Sequence, residues 1–470
     1  MSKSENLEAD YVVVGAGAVG MAIADTLLHE SECSVIVLDE RAKPGGHWND
    51  AYPFVRLHGP SANYGVNSRH LGKDKIEAEG LNRGLYELAT GSEICTYFDE
   101  VMRHELLPTG RLRYLPMHLY SSDGKAVSLI SGETKEVRAR KKLVDATIAE
   151  TQVPSRTPPT FSVAPEVRCI APNELANLKQ APDSFVVIGA GKTAIDSVIW
   201  LLETGADPNR IRWIRPRDAW LLNRRSVQPT YEFFGDTYGW LAANMEAAAH
   251  AHSADEIFLH LERAGVMCRI DPSVMPTMYR CAIVSEYELE QLRRVTDVIR
   301  MGRVGSISPG QVKLDQGNLS VDEDTVFVNC SADGIPRKAA QPIFQPGRII
   351  PQYVRMCSPT FSGALVAKVE LLFDRDDEKN ALTKPTPIPD VPFDWIEIEL
   401  NQAANRFAWE QHEALRDWLS RSRLDQFTMM ALRAVSESDE PKLKLLEHYR
   451  GAIRPAVENL VKLIGTAQSG

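Results

Sequence analysis

Short unbroken apolar runs alternate along this chain with stretches whose apolar positions recur at helical spacing. "YVVV", residues 11–14, is such a run, and Ala22, Ile23 and Leu27 then fall on one helix face before a second run, "SVIVL", ends at Leu38. The pattern repeats from Phe185 to Ile188, through Ile195, Val198, Ile199 and Leu202, to "RIRWI" at 210–214. Runs of this kind, bounded by glycine, predict strands buried on both faces of a parallel sheet. Pro-rich "PSRTPPTF" marks a crossing between lobes, and residues 228–300 break the alternation with three helical stretches. Strand character returns at "TVFVNCSADG", 325–334, and the tail from 393 reads as helical, with Trp395, Trp409 and Trp418 expected in its core.

What joins strand to helix carries the first chemistry. Gly15, Gly17 and Gly20 follow the first run, and Gly189, Gly191 and Ala194 follow the second. In a dinucleotide turn the first glycine permits the tight bend, the second lets backbone approach a pyrophosphate, and a small third residue lets helix pack on strand. Gly191-Lys192-Thr193 also resembles the end of a triphosphate-binding loop, but the glycine that loop requires is Val186, inside the strand. A carboxylate about 20 residues past the turn grips a ribose diol in dinucleotide-binding units; Asp39 stands there, with Glu40 beside it. The expected fold is α/β, with two Rossmann-type dinucleotide-binding domains. The first spans 1–160 plus 320–392, the second spans 161–319 with a helical insert at 228–300, and 393–470 forms a C-terminal helical region.

Composition narrows the classes of function. The 470 residues are 25% charged and 44% hydrophobic with a net charge of −10, which argues against nucleic acid or an anionic membrane as partner. Seven cysteines without a C-x-x-C suggest neither a disulfide scaffold nor a zinc site, and point to a reduced compartment. His250 and His252 lie two apart on a predicted helix and diverge, so no metal is expected. The polar, acidic opening "MSKSENLEAD" is unlike a signal peptide, so a soluble cytoplasmic protein is expected, with a homodimer through the tail left open.

"AKPGGHWNDAYPFVRLHGPSANYG", just past Asp39, resembles the G-G-x-W stretch and its Y-P-G-x-R-L-H-x-P continuation in flavin-containing and Baeyer-Villiger monooxygenases. Gly45, Gly46, Trp48, Tyr52, Pro53, Arg56, Leu57, His58, Pro60 and Ser61 match. The resemblance implies FAD at the first turn and NADPH at the second. It implies a monooxygenase that inserts one oxygen of O2 into a small organic substrate through a flavin C4a-hydroperoxide. Gly46 and Trp48 would then line the flavin, with His58 and Ser61 as hydrogen-bonding neighbours. "VDATIAE" and "VNCSADG" would pass the chain between domains, making Asp145 and Asp333 hinge residues, and the helix opening at "SPTFSGA" would face the flavin ring. Lys192 and Thr193 would assist the NADPH pyrophosphate, and Arg215 and Arg217, at the end of the strand after the second turn, would meet the 2′-phosphate. Arg56, His58 and Tyr64 are the candidate proton-transfer groups by position. The chain departs from the family at 161–175, which lacks the glycine and histidine of F-x-G-x-x-x-H. A flavin reductase or dehydrogenase without oxygen insertion, and a non-catalytic nucleotide-binding redox sensor, are the alternatives.

Overall fold

The computed structural model describes residues 6–467 apart from 229–230, 426, 428–434 and 437. Two sheets, each with a parallel core, are built on one plan. In the first, Asn6–Val14 has Val35–Asp39 and then Leu112–Pro116 on one side, and Thr134–Asp145 and then Arg348–Ile349 on the other. In the second, Ser184–Ile188 has Ile211–Ile214 and Val298–Ile299 on one side, and Thr325–Asn329 and Cys169–Ile170 on the other. Val12, Val13, Val186 and Val187 are fully buried, which is why these strands read as continuous apolar runs.

In both sheets the strand order reverses at the strand that feeds the glycine turn, and ligands of such sheets bind in the crevice beyond that point. Register brings the strand ends level there. Val14 pairs with Leu38 and Asp145, and Ile188 with Ile214 and Asn329. The neighbouring strand ends then close on the first glycine of each turn. A Cβ on Gly15, at φ +100°, would lie 3.1 Å from Thr147 Cγ2, and one on Gly189, at φ +132°, would lie 2.5 Å from the Cys330 carbonyl oxygen. "VDATIAE" and "VNCSADG" therefore abut the two turns. Asp145 pairs with Arg348 and Asp333 with Arg280.

Two boundaries drawn from sequence are corrected. Thr325–Asn329, assigned to the first domain, pairs along its length with Ser184–Ile188 of the second sheet. The stretch 228–300 is not purely helical. Phe234–His250, Ala254–Arg263 and Glu286–Leu292 are helices, but Met267–Cys268 and Met278–Val284 pair with Ala219–Asn223 in a three-stranded sheet, and Val298–Ile299 completes the second parallel sheet. Helices Asp394–Glu410, Glu413–Arg421 and Glu440–Ala467 form the tail. The last packs on Phe234–His250, sharing Ala456 and Leu460 with its core, while Asn459 Nδ2 donates to the Ala248 and Ala251 carbonyls at 2.8 and 2.7 Å. Trp395, Trp409 and Trp418 are buried. Among the described residues no helix is long and apolar enough to cross a membrane.

Candidate functional site

Helices Gly91–Glu100, Ala254–Arg263 and Glu286–Leu292 begin on side-chain caps from Thr90, Ser253 and Ser285. The glycine-turn helices, Ala18–His29 and Lys192–Glu203, begin on Gly17 and Gly191 with no side-chain cap and no acidic residue in the first turn. Their leading N–H groups and positive dipole ends suit an anion. Gly20 sits against the bend, where a Cβ would lie 1.9 Å from the Gly15 carbonyl oxygen. The 45–50 loop is seated on the first turn: Gly45 N–H donates to the Ala16 carbonyl at 2.8 Å, and a Cβ on Gly46 would lie 2.9 Å from Gly17 Cα.

Asp39 is buried and accepts from the N–H groups of Ala16 and Arg41, each at 2.7 Å. Burial raises its carboxyl above the usual range against those two bonds. It fixes the turn with two of its roughly four acceptor positions, which leaves the others for a ribose. Glu40 is half-exposed and paired with Arg41 at 3.1 Å.

A cleft of about 1140 Å³ runs between the lobes, lined by Trp48, His58, Gly191, Tyr279, Tyr353 and Glu399 among others. Trp48 donates from Nε1 to the Tyr64 hydroxyl at 2.8 Å and stacks on His47 at 5.1 Å. Burial pushes the Tyr64 hydroxyl well above its ordinary pKa, so it stays protonated. Burial, reinforced by Lys192 and Arg224, pushes His58 down to about 3, so its imidazole is neutral at physiological pH and has no cationic proton to give. Its Nδ1 is buried without a partner, a hydrogen-bonding position open to a ligand.

Several expected roles are corrected. Arg56 lines the cleft but its guanidinium is already committed to the Leu88 carbonyl and Glu77. Ser61 Oγ donates to the Glu87 carbonyl at 2.9 Å and accepts from Ala89 N–H at 2.7 Å, which makes it a loop clasp. Lys192 lines the cleft with its ammonium bound to Asp196 one helical turn on. Arg215 is 2% exposed, paired with Asp218 at 3.2 Å and stacked on Trp213, and no phosphate reaches it. Arg217 does line the cleft but is gripped by Asp390 at 2.9 and 2.7 Å. Asp390 also holds Arg280, and these cations keep its carboxyl well below the usual range. Thr193 lines the cleft beside Tyr52, whose hydroxyl donates to Asp196 Oδ2 at 2.7 Å and so ties the flavin-side loop to the second turn.

The insert and tail supply cleft residues that sequence reasoning missed. Trp240 Nε1 and Asn244 Oδ1, four apart on one helix face, are buried without partners. Glu399 accepts from Gln402 at 3.0 Å and is raised to about 7 by burial. The i,i+4 spacing of Lys192 and Asp196 was a signal available in the sequence; Trp240, Asn244 and Glu399 carry none.

Residues 13–77 match the family model described as an NAD(P)-binding Rossmann-like domain. Solved structures similar to this chain include a complex of OTEMO with FAD and NADP, at TM-score 0.49 and 14% identity over 90% of this chain and 92% of that one. Another is a flavin-containing monooxygenase from Stenotrophomonas maltophilia, at TM-score 0.45 and 14% identity over 77% and 98%. Among curated proteins, the uncharacterized proteins Rv2000 of Mycobacterium tuberculosis and Mb2023 of Mycobacterium bovis are each 44% identical over 467 residues, 99% of this chain and 86% of theirs. The chain belongs to the family of these mycobacterial proteins.

Proposed function

We propose that the protein is an FAD-dependent, NADPH-using oxidoreductase that inserts one oxygen of O2 into a small, largely apolar organic molecule. The observation that carries the reading is that the second glycine turn and the loop seated on the first turn line one continuous cleft. Two dinucleotides held there would meet across it. Bound flavin supplies the link between two-electron hydride chemistry and O2, which accepts electrons singly.

The chain's own part is binding, orientation and exclusion of water. The N-terminus of Ala18–His29, Gly46 and Asp39 would hold the FAD pyrophosphate and ribose. The N-terminus of Lys192–Glu203 and Thr193 would hold the NADPH pyrophosphate. Arg303 would meet the 2′-phosphate, since it is exposed at the cleft wall and has no ion pair among the described residues. Trp48, oriented by Tyr64, would shield the flavin edge from water. Met245, Met278 and Tyr279 give the far wall its apolar character, while Trp240 Nε1 and Asn244 Oδ1 offer one donor and one acceptor to fix a substrate. His58, uncharged, can hydrogen-bond a ligand without contributing a cation.

The test is turnover under O2 carrying a heavy-oxygen label with NADPH and a panel of ketones, amines and sulfides. Label in one organic product, with NADPH consumed in equal amount, supports the reading. NADPH consumption that yields only peroxide with every compound would reduce it to a reductase, and no consumption at all would remove it.

A further inference from the structure

Helix Asp394–Glu410 turns one face to the cleft, on which Trp395, Glu399, Gln402 and Arg406 stand three or four residues apart. Helix Phe234–His250 brings Trp240, Asn244 and Met245 to the same cleft. The two helices share one apolar cluster, in which Trp395 and Ile396 pack with Met245 while Trp240, Met356 and Leu400 close on them. A carboxylate in such surroundings is destabilised unless donors or a cation answer it. Glu399 has a single answer. The Met356 N–H donates to Gln402 Oε1 at 3.0 Å, which leaves Gln402 only its Nε2 to offer, and this donates to Glu399 Oε1, also at 3.0 Å. The carboxylate is thus fixed in orientation, with Oε2 unpartnered and no ion pair among the described residues. The cations at this end of the cleft are engaged elsewhere: the Arg406 guanidinium donates to the Tyr449 hydroxyl and lies over Phe427 at 5.9 Å, and Arg355 pairs with Asp425 at 3.1 Å. On the other helix Asn244 is only 2% exposed, lines the cleft, and has an Oδ1 with no partner, an acceptor that a ligand's donor would satisfy.

We propose that this end of the cleft binds an organic ammonium, an apolar molecule whose protonated nitrogen donates to Glu399 Oε2 while its body lies among Trp240, Met245 and Trp395. The inference names the class of molecule for the substrate end of the cleft and rests on that reading of the cleft. An ammonium neutralises the one carboxylate that no cation meets, whereas a neutral alcohol or ketone leaves its charge uncompensated. The indole faces beside it attract the same charge, and the chain's net charge of −10 favours the approach of a cation. Asn244 Oδ1 takes a further N–H or O–H of the ligand. Burial raises Glu399 to about 7 against the opposing pull of Arg406 and Gln402, and a bound ammonium would return it to the charged form. A nitrogen held in this way carries a proton in place of its lone pair. It is therefore the handle by which the molecule is held, and the atom to be oxidised lies elsewhere on the apolar body.

The test is calorimetric titration of the full chain, with no NADPH added, at about pH 8, where Glu399 is mainly ionised and an alkylamine is still protonated. The probes are cyclohexylmethylamine and cyclohexylmethanol, a cation and a neutral molecule of nearly the same shape. The amine should bind at least about tenfold more tightly than the alcohol, as a charge-assisted hydrogen bond requires. Glu399→Gln, which keeps the side chain's size, should erase that preference by weakening the amine and leaving the alcohol unchanged. Equal affinity for the two probes in the wild type, which needs no variant to measure, would overturn the proposal, as would no binding of either or a preference that survives Glu399→Gln. Turnover separates this inference from the proposed function. Labelled oxygen in a product without ammonium binding would remove the inference and leave the function, and ammonium binding without NADPH consumption would do the reverse.

Discussion

Gly191→Ala separates a glycine kept for a ligand from one kept for the fold. A Cβ at Gly191 meets no heavy atom within 4 Å, and its φ of −85° is open to any residue. Alanine is a poorer N-cap than glycine by about 0.5 to 1 kcal/mol. Stiffening the unfolded chain returns about 0.4 to 1 kcal/mol, so the net change in stability is close to zero. With an unfolding entropy of about 2.1 cal/mol/K per residue, 470 residues give about 1 kcal/mol per degree, and Tm should move by about 1 °C or less. The ligand sees a different surface. If the backbone at 191 faces the NADPH pyrophosphate, the methyl displaces a phosphate oxygen from one or two N–H donors. Each charge-assisted bond is worth about 1.5 to 3 kcal/mol, so Kd for NADPH should rise roughly 10- to 100-fold or more. Titration of NADPH by calorimetry, beside a melting curve of the same preparation, reads both numbers. Unchanged affinity would show that the second turn does not hold a pyrophosphate, and a fall in Tm of many degrees would make the glycine structural.

Gly20→Ala should do the opposite, because its Cβ would lie 1.9 Å from the Gly15 carbonyl oxygen; a loss of about 1 to 3 kcal/mol or more in denaturant unfolding is expected, and none would refute the packing. Arg303→Ala should lower kcat/KM for NADPH and leave that for NADH unchanged, whereas Arg215→Ala should chiefly reduce stability; equal losses with both coenzymes for Arg303→Ala would move the phosphate elsewhere. Glu288 binds buried Arg224 at 2.6 Å; burial would raise its carboxyl, but Arg224 and Lys192 outweigh that and hold it below the ordinary value. Its stabilisation is therefore full above the ordinary carboxylate range and lost as pH falls through the lowered value, and Glu288→Ala, which strands Arg224, should cost about 3 to 5 kcal/mol at neutral pH by denaturant unfolding. His58, depressed to about 3, should remain neutral in NMR titration across the physiological range; the unfolded chain binds its proton from 6.5 downward, so it contributes to loss of stability as pH falls below 6.5 and not above it.

What could be read from sequence was what local geometry demands. Gly15 and Gly189 sit at positive φ beneath neighbouring strand ends, and Gly20 under a carbonyl, so each requirement leaves a residue type at a fixed spacing. Side-chain commitments to partners distant in sequence left no such trace. Arg217 is held by Asp390 and Arg224 by Glu288, partners far along the chain, and Arg215 is buried over Trp213 beside Asp218, a placement that its position at a strand end does not disclose. Thr325–Asn329 was recognisable as a strand, but a short apolar run carries no information on which neighbour it joins, and only its register with Ser184–Ile188 assigns the sheet. The far cleft wall, from Trp240 to Glu399, is assembled from an insert and a tail that meet only in three dimensions.

If one chain holds two dinucleotides whose reactive ends meet across the cleft, NADPH must reduce the flavin within it. Protein reconstituted with FAD, freed of excess flavin and mixed anaerobically with NADPH measures this directly. The expected result is a retained yellow flavin band that bleaches on NADPH addition, that is lost with Gly17→Ala, and that stays oxidised at the same NADPH concentration with Gly191→Ala. Folded protein that retains no flavin, or retained flavin that NADPH cannot reduce, would contradict it.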